Sequence, residues 1–325
     1  MQNAAIVMRR HGGPEVLALE SVDLPPPGPG EVTLRQSYVG VNFHDIYVRS
    51  GEYRTLALPG TPGIEGVGVV QQLGPGVLGL APGDRVGYIT SAYGCYAQQR
   101  LLPARLAVKL PDALTDRDAA ALLLKGLTVQ MLVDAVHRVR AGEWVLVQAA
   151  AGGVGRLLVS WAAQLGARVI GTVGSTEKLA VARAAGCVEV MVYREENVVE
   201  RVREITGGRG VDVAYDGVGR DSFAASLGAL ARCAHLVNFG QASGPVEPVA
   251  LAQLAARSTT LSRPVVFHYA AERARLEAMS AALFAAVAAG WLHTEPADVF
   301  PLEQAAQAHR LLESGRALRP VVLQV

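Results

Sequence analysis

Between residues 144 and about 240, apolar runs alternate with amphipathic stretches along the chain. The runs 144–149 (WVLVQA) and 168–173 (RVIGTV) have the length and β-branched content of buried strands. The stretch between them, 156–165 (RLLVSWAAQL), places apolar residues at spacings of three and four, as in a helix. Strands that alternate with helices in this way are typical of a parallel, doubly wound sheet. The pattern therefore predicts an α/β fold with a dinucleotide-binding type of domain.

The first 120 residues show a different pattern. Short strand-like runs such as 31–41 and 84–89 are separated by gaps rich in Gly and Pro, which predicts an antiparallel, barrel-like domain. A helical period then begins, with Thr115 as its predicted N-cap and Asp116 and Asp118 in the first turn, where the helix dipole favours negative charge.

The last sixty residues contain a long helical pattern at 270–290 and a shorter one at 302–314. They end in the apolar tail 319–325 (RPVVLQV). An apolar tail of this kind is explained if it returns as a strand to the first domain, and we predict that it does.

The composition indicates that the ligand is a small molecule. Half of the 325 residues are hydrophobic, 18% are charged, and the formal net charge is +1, so no global field would attract nucleic acid or a membrane. The three cysteines, Cys95, Cys187 and Cys233, are far apart and form no CxxC pair, which argues against disulfides and a zinc knuckle. The N-terminal residues lack a signal-peptide pattern, and no run reaches the about 18 apolar residues of a membrane span. We expect a cytoplasmic protein.

The segment 150–155 (AAGGVG) matches the pattern G-x-G-x-x-G with alanine at its first position. Gly152 holds the third position, which lets the backbone approach a pyrophosphate, and Gly155 holds the sixth, which lets the helix pack on the strand. The following helix would place its N-terminal amides at the anion. The strand, loop and helix together predict a bound dinucleotide. The alternative is an ordinary packing loop without a nucleotide.

The next strand ends in GTVGS (171–175), where NAD-preferring domains carry an acid for the adenosine ribose. Without that acid, a 2′-phosphate would be accepted, and Ser175, Lys178 and either Tyr193 or Arg194 would supply donors or charge. NADPH is therefore favoured over NADH. The alternative for Lys178 is a solvated residue in the next helix.

Five separated motifs resemble one family. They are HGGPEVL (11–17), VNFHDIYVRSGEY (41–53), LKGLTV (124–129), AAAGGVG (149–155) and YDGVGRD (215–221), the last followed by NFG. With them the chain resembles the quinone oxidoreductases, the zeta-crystallin-like, zinc-independent branch of the medium-chain dehydrogenases, from its first residues to its last. The resemblance implies a GroES-like catalytic domain at 1–122 and 266–325, with a Rossmann NADPH-binding domain inserted at 123–265.

The resemblance also bears on metal binding. Zinc-dependent relatives carry Cys at the place of Asn42, His at the place of Ile64, and a lobe with four close cysteines, none of which is present here. His44 and Asp45 are adjacent candidate metal ligands, but no thiol accompanies them, so we interpret the pair as part of a hydrogen-bonded loop. No metal is predicted.

By the same resemblance, Asn42 and Tyr47 lie near the nicotinamide and the substrate, and Tyr53 lines the same pocket. The phenols would donate to a quinone oxygen while their rings stack on it, without a metal to polarise the carbonyl. For Tyr53 the alternative is a half-buried packing residue. The implied cofactor contacts are Asn42, Asp45, Lys125, Thr128, Gly152, Gly153, Val154, Gly174, Ser175, Lys178, Tyr193, Gly217, Phe239, Gly240, Gln241, Arg263 and Arg316.

Two of those contacts depart from the family pattern. Gly217 stands where a serine is usual, and the tail ESGRALRP leaves open whether Arg316 or Arg319 reaches the cofactor. The alternative for Arg263 and Arg316 is an ordinary surface arginine.

The predicted function is NADPH-dependent reduction of a quinone without a metal. An alternative enzyme is an NADPH-dependent enone or 2-alkenal double-bond reductase, since the same fold would deliver hydride to a β-carbon. An alternative of another class is an NADPH-sensing, RNA-binding or crystallin-like structural protein, and the near-neutral charge argues against RNA. The apolar segments 235–240 and 260–269 are predicted to lie at a sheet edge and to pair in a homodimer.

Overall fold

The computed structural model describes residues 2–293 and 296–325. The strands are β1 (Gln2–Val7), β2 (Ala18–Asp23), β3 (Glu31–Gly40), β4 (Glu65–Leu73), β5 (Arg85–Ile89), β6 (Gln99–Pro103), β7 (Val108–Lys109), β8 (Trp144–Val147), β9 (Arg168–Val173), β10 (Glu189–Val192), β11 (Val211–Asp216), β12 (Leu230–Asn238), β13 (Thr260–Ser262), β14 (Asp298–Pro301) and β15 (Val321–Gln324). The helices are α1 (Phe43–Ser50), α2 (Asp116–Gln130), α3 (Gly153–Gln164), α4 (Leu179–Ala184), α5 (Val198–Ile205), α6 (Phe223–Ala229), α7 (Leu251–Ala255), α8 (Val266–Tyr269), α9 (Arg273–Ala288) and α10 (Ala305–Glu313).

The chain divides into two compact units. The first comprises Met1–Leu124, Ala270–Ser280 and Thr294–Val325, and the second comprises Lys125–Tyr269 and Ala281–His293. The segment Ala281–His293 thus groups with the second unit, whereas the sequence assigned all of 266–325 to the first domain. The physical reason is local: the side chain of Leu283 lies so close to Gly126 that a β-carbon there would be 2.5 Å from it.

The first unit is built on a largely antiparallel sheet. Its strand order is β14-β15-β3-β4-β5-β7, and β6 also pairs with β3. The C-terminal strand β15 lies antiparallel to β3, with Leu323 opposite Val39. Both side chains are fully buried in the core of this unit. The prediction that the apolar tail returns as a strand to the first domain is confirmed.

The second unit contains a six-stranded parallel sheet in the order β10-β9-β8-β11-β12-β13. This arrangement confirms the doubly wound fold class. The prediction that residues 235–240 lie at the edge was wrong, because β12 is covered by β13. Residues 260–269 were also predicted to be strand-like throughout, but only Thr260–Ser262 pair. Pro264 lacks the N–H that a continuing ladder needs, and the chain turns into α8.

Helix α2 begins where the sequence predicted. The Thr115 hydroxyl accepts from the Asp118 N–H at 3.2 Å and contacts the Asp118 carboxylate at 2.6 Å, so Thr115 caps the helix. A π-helical turn, Met131–Val136, continues it. In the described part of the chain, the helical segment Asp116–Val136 is long and apolar enough to span a membrane, with a mean hydropathy of 1.6. Because 78% of its most apolar window is buried inside the protein, we interpret it as a core helix.

Candidate functional site

The loop between β8 and α3 turns sharply at Ala149. Its φ of 53° lies in the left-handed region that alanine seldom adopts, and its carbonyl accepts from the N–H of Gly152 at 2.8 Å. Gly152 is exposed and forms the N-cap of α3. The amides at the start of α3 are therefore presented at an open loop, which is the arrangement that binds a pyrophosphate.

Two further glycines give this loop its shape. Gly155 is buried, and a β-carbon there would overlap the carbonyl oxygen of Ala149, so only glycine allows α3 to pack against the end of β8. A β-carbon at Gly153 would lie 3.2 and 3.3 Å from the side-chain methylenes of Lys125. The Lys125 stem therefore covers the loop, with Thr128 one turn further along α2 and Val154 in the first turn of α3. The structure brings these predicted contacts together.

A second group lies at the carboxyl ends of β9 and β10. Ser175 accepts through its carbonyl from the Lys178 N–H at 3.1 Å. A β-carbon at Gly174 would be 3.5 Å from the ring of Tyr193, and the Arg194 guanidinium lies 5.6 Å from the centre of that ring. The residues predicted to hold a 2′-phosphate are thus neighbours, and glycine and serine follow β9 where an acid would stand.

A third group lies at the carboxyl ends of β11 and β12. The ring of Phe239 packs on Gly217, where a β-carbon would lie 2.9 Å from two ring atoms, so a larger residue here would require the Phe239 ring to shift. A β-carbon at Gly240 would lie 2.6 Å from the carbonyl oxygen of Gly217. The Arg263 guanidinium donates to the side-chain oxygen of Gln241 at 3.1 Å. All five predicted residues therefore meet in one loop cluster.

Sequence reasoning missed Asp216, which holds the shape of this cluster. Its fully buried carboxylate accepts from the backbone N–H groups of Val218 and Gly219 at 2.9 Å. It also accepts from the hydroxyls of Ser222 and Ser226 at 2.7 and 2.8 Å. An acid at the end of an apolar strand, directly before a glycine-rich loop, was the available signal.

In the first unit, Asn42 is fixed from two sides at the start of α1. Its backbone N–H donates to the carboxylate of Asp45 at 2.8 Å, and its side-chain amide donates to Glu65 at 2.7 Å. Asp45 and Glu65 are both fully buried. Asp45, which the resemblance makes a cofactor contact, thus has its carboxylate engaged within this unit. Asp45 therefore positions Asn42, and its contact with the cofactor stays a prediction.

A buried chain of hydrogen bonds continues from Asp45. The Tyr96 hydroxyl donates to Asp45 at 3.2 Å and lies 3.0 Å from Nε2 of His309. The Arg49 guanidinium lies 3.3 Å from Nδ1 of His309 and is paired with Glu313. Burial, and then the neighbouring positive charge of Arg49, lower the pKa of His309 to about 3. Since Arg49 only donates and Asp45 only accepts, the neutral ring carries its proton on Nε2.

Aromatic rings gather on the other side of α1. The Tyr47 and Tyr53 ring centres are 5.1 Å apart, and His44 meets Tyr53 edge-on at 5.4 Å. Nε2 of His44 lies 3.2 Å from the hydroxyl of Tyr93, a residue that sequence reasoning missed. Burial lowers the pKa of His44 to about 4. His44 and Asp45 lie in a helix and have separate partners, so the interpretation of the pair as a hydrogen-bonded loop was wrong.

Arg316 lies in the first unit and is exposed. Its backbone N–H donates to the Ser314 hydroxyl at 3.2 Å. Its contact with the cofactor stays a prediction, as does the choice between it and the equally exposed Arg319.

The side chains of the described residues do not fit a metal ion. Across residues 2–293 and 296–325, no group of three or more His, Cys, Asp or Glu side chains is arranged to hold one. Zinc needs three or four such ligands. At the position where zinc-dependent relatives carry a cysteine, this chain has Asn42, whose side-chain amide donates to Glu65.

Two family models match the chain. Residues 28–112 match the alcohol dehydrogenase GroES-like domain, and residues 153–283 match the zinc-binding dehydrogenase model. A 2-haloacrylate reductase from a Burkholderia species is 41% identical over 98% of both chains. Quinone oxidoreductase 1 of Escherichia coli is 42% identical over 95% of both. The crystal structure of Escherichia coli quinone oxidoreductase complexed with NADPH matches with a TM-score of 0.94, at 40% identity, over 99% of this chain and all of the other.

Proposed function

This chain belongs to the zinc-independent quinone oxidoreductases of the medium-chain dehydrogenase/reductase family, and we propose that it reduces a quinone with NADPH without a metal ion. The observation that carries this proposal is the group formed by Gly174, Ser175, Lys178 and Tyr193, which offers donors and a cation where an NAD-specific protein has an acid. The structural relative with bound NADPH supports the same cofactor.

The second unit would hold the cofactor through three loops. The open start of α3 after Gly152, covered by Lys125, would bind the pyrophosphate, and the group around Ser175 the 2′-phosphate. The loop of Gly217, Phe239 and Gly240 would support the rest of the nucleotide. When bound, NADPH supplies the hydride that reduces the substrate.

The first unit would bind the quinone. We propose that the Tyr47 and Tyr53 rings stack on the substrate and that their hydroxyls donate to its oxygens, where negative charge develops. Asn42, held by Asp45 and Glu65, would contact the ligand from the start of α1. Tyr47 is buried and Tyr53 is half-buried, so both rings present a limited face. NADPH-dependent, chelator-resistant turnover of a quinone tests the proposal.

A second candidate is reduction of an activated carbon–carbon double bond. The relative named 2-haloacrylate reductase favours this alternative, because it is as similar to this chain as the quinone oxidoreductases are. The same cofactor loops would serve both reactions, and the shape of the substrate pocket would decide between them. Turnover of an enone without turnover of any quinone would favour this second candidate.

We also propose that the chain forms a homodimer. Strand β13 (Thr260–Ser262) is one of the two edges of the parallel sheet, and in the described part of the chain it pairs with β12 alone. An edge strand presents backbone groups that pair readily with a symmetry mate. Sedimentation at micromolar concentration tests this, and a clean monomer would contradict it. A cytoplasmic location stays a prediction.

A further inference from the structure

Three side chains of the first unit, Thr55, Tyr93 and His44, are joined by a series of hydrogen bonds that has no role in the function proposed above. It begins at Thr55, which is exposed, and its hydroxyl contacts the hydroxyl of Tyr93 directly. The Tyr93 oxygen in turn lies 3.2 Å from Nε2 of His44. The chain therefore joins the protein surface to an imidazole ring inside the unit.

The inner end of this chain lies beside the proposed quinone site. The His44 ring centre is 5.4 Å from that of Tyr53 and 5.9 Å from that of Tyr93. Tyr53 in turn lies 5.1 Å from Tyr47. Tyr47 and Tyr53 are the two rings proposed to stack on the quinone, so the imidazole borders the place where the substrate oxygens would lie.

The protonation states of the three groups suit proton transfer. Burial lowers the pKa of His44 to about 4, so its imidazole is neutral at pH 7. Burial raises the pKa of Tyr93, so its phenol keeps its proton. A neutral imidazole donates at one nitrogen and accepts at the other, and each hydroxyl does both. With the Tyr93 hydroxyl donating to Nε2, the His44 ring carries its own proton on Nδ1.

We propose that Thr55, Tyr93 and His44 form a proton relay that supplies the proton consumed when the quinone is reduced. The relay rests on the proposed quinone reductase function and adds a catalytic residue, His44, to it. Tyr93 and Thr55 act through His44, and they connect it to solvent.

A quinone becomes a hydroquinone by taking up one hydride, which bound NADPH supplies on oxidation to NADP⁺, and one proton. The Nδ1–H bond of His44 breaks, and its proton bonds to the substrate oxygen left with negative charge. The Tyr93 proton moves to Nε2, the Thr55 proton moves to the Tyr93 oxygen, and Thr55 takes a proton from a hydronium ion in the solvent, which leaves water. After the hydroquinone leaves, the ring regains its starting tautomer by taking a proton from solvent at Nδ1 and releasing one from Nε2, with no net change in the number of protons.

The kinetic test uses a matched pair at the exposed position. Thr55→Val keeps the size of the side chain without its hydroxyl, and Thr55→Ser keeps the hydroxyl. With tetramethylbenzoquinone, whose reduced oxygen is basic, Thr55→Val and Tyr93→Phe should lower kcat about tenfold or more, because general acid catalysis contributes at least that much. With tetrachlorobenzoquinone, whose reduced form is a stable anion, both variants should match the unaltered protein. Thr55→Ser should match it with both quinones, and the KM for NADPH should not change.

A spectroscopic test needs no turnover. In the protein without nucleotide, labelled with ¹⁵N-histidine, long-range ¹H–¹⁵N correlations should show His44 neutral at pH 7 with its proton on Nδ1. Tyr93→Phe removes the donor to Nε2 and should shift the ring towards the other tautomer. Because Thr55 is exposed, the kinetic comparison remains valid even where Tyr93→Phe fails to fold.

The relay is overturned if Thr55→Val equals Thr55→Ser on tetramethylbenzoquinone, or if His44 carries its proton on Nε2. Failure of the proposed function gives a different result, since the unaltered protein would then turn over neither quinone. In that case the relay is refuted together with the function.

Discussion

The side-chain amide of Asn42 donates to the buried carboxylate of Glu65 across 2.7 Å. The other oxygen of Glu65 accepts from the backbone N–H of Leu124 at 2.9 Å, so one carboxylate ties the start of α1 to α2. Glu65 is fully buried, so both hydrogen bonds lie inside the protein. The position of Asn42 therefore depends on a residue 23 positions away in the sequence.

Glu65→Ala should destabilise the protein and lower kcat/KM for the quinone. It leaves two buried N–H groups without their acceptor, which costs about 1–3 kcal/mol each in the free energy of unfolding. Glu65→Gln keeps the size of the side chain and one acceptor oxygen, so it should lose less stability and less kcat/KM than Glu65→Ala. Urea denaturation and steady-state kinetics measure the two effects. A Glu65→Ala variant as stable and as active as the unaltered protein would refute the role of Glu65.

Gly155→Ala and Gly152→Ala should separate folding from nucleotide binding. The added β-carbon at 155 overlaps the Ala149 carbonyl, so this variant should lose thermal stability. At exposed Gly152 the nearest atom is the same carbonyl oxygen at 3.1 Å, so the fold should tolerate alanine better while the loop approaches a pyrophosphate less closely. Calorimetry and NADPH titration test the pair. Equal loss of stability in both variants would contradict this division.

Lys178→Ala should weaken NADPH binding about tenfold, which is about 1.4 kcal/mol, and leave NADH binding nearly unchanged. The expected size follows from loss of one charge-assisted contact between half-buried Lys178 and the 2′-phosphate. Gly174→Asp should shift preference towards NADH, since it restores an acid after β9 and its β-carbon would be 3.5 Å from Tyr193. Glu177→Gln, at an exposed neighbour, is the control. If Lys178→Ala weakened NADPH and NADH binding equally, Lys178 would not contact the 2′-phosphate.

His309→Gln should make stability less sensitive to acid. The folded pKa of His309 is about 3, below its ordinary value of 6.5, so the unfolded chain binds more protons between these values. Stability conferred by the neutral ring is therefore fully present above pH 6.5 and falls, by at most about 1.4 kcal/mol per pH unit, as the pH drops towards 3.

The comparison for that prediction is between pH 7 and pH 5. The unaltered protein should lose more unfolding free energy over this interval than His309→Gln, whose side chain cannot take up a proton. His268→Gln, at an exposed histidine, is the matched control and should behave like the unaltered protein. If all three proteins lose the same unfolding free energy between pH 7 and pH 5, His309 does not titrate on unfolding.

Most of the fold could be predicted from the sequence because the patterns that indicate its strands and helices are local. Apolar runs and helical periods marked the parallel sheet, and Thr115 marked the start of α2. The prediction of that sheet's edge was right for Thr260–Ser262, which form the edge strand β13, and wrong for residues 235–240, which β13 covers. The local pattern of residues 260–269 did not show that the strand has only three residues and ends before Pro264.

The candidate site divides in the same way. The phosphate loop and the residues after β9 were found because each lies in one short motif with a known geometry. Glu65, Tyr93 and Asp216 were missed because their roles come from contacts made on folding, such as that between His44 and Tyr93, 49 residues apart. Glu65 did leave one signal, an acid inside the apolar run GIEGVGVV.

The proposed function is the transfer of reducing equivalents from NADPH to a quinone without a metal. Its most direct test is nucleotide oxidation by the purified protein, followed by absorbance, with NADPH and NADH in turn. Each nucleotide is combined with a benzoquinone, phenanthrenequinone or an enone, with and without a chelator. We expect quinone turnover that requires NADPH and is unaffected by the chelator. Tight NADPH binding without turnover of any acceptor, or turnover abolished by the chelator, would contradict it.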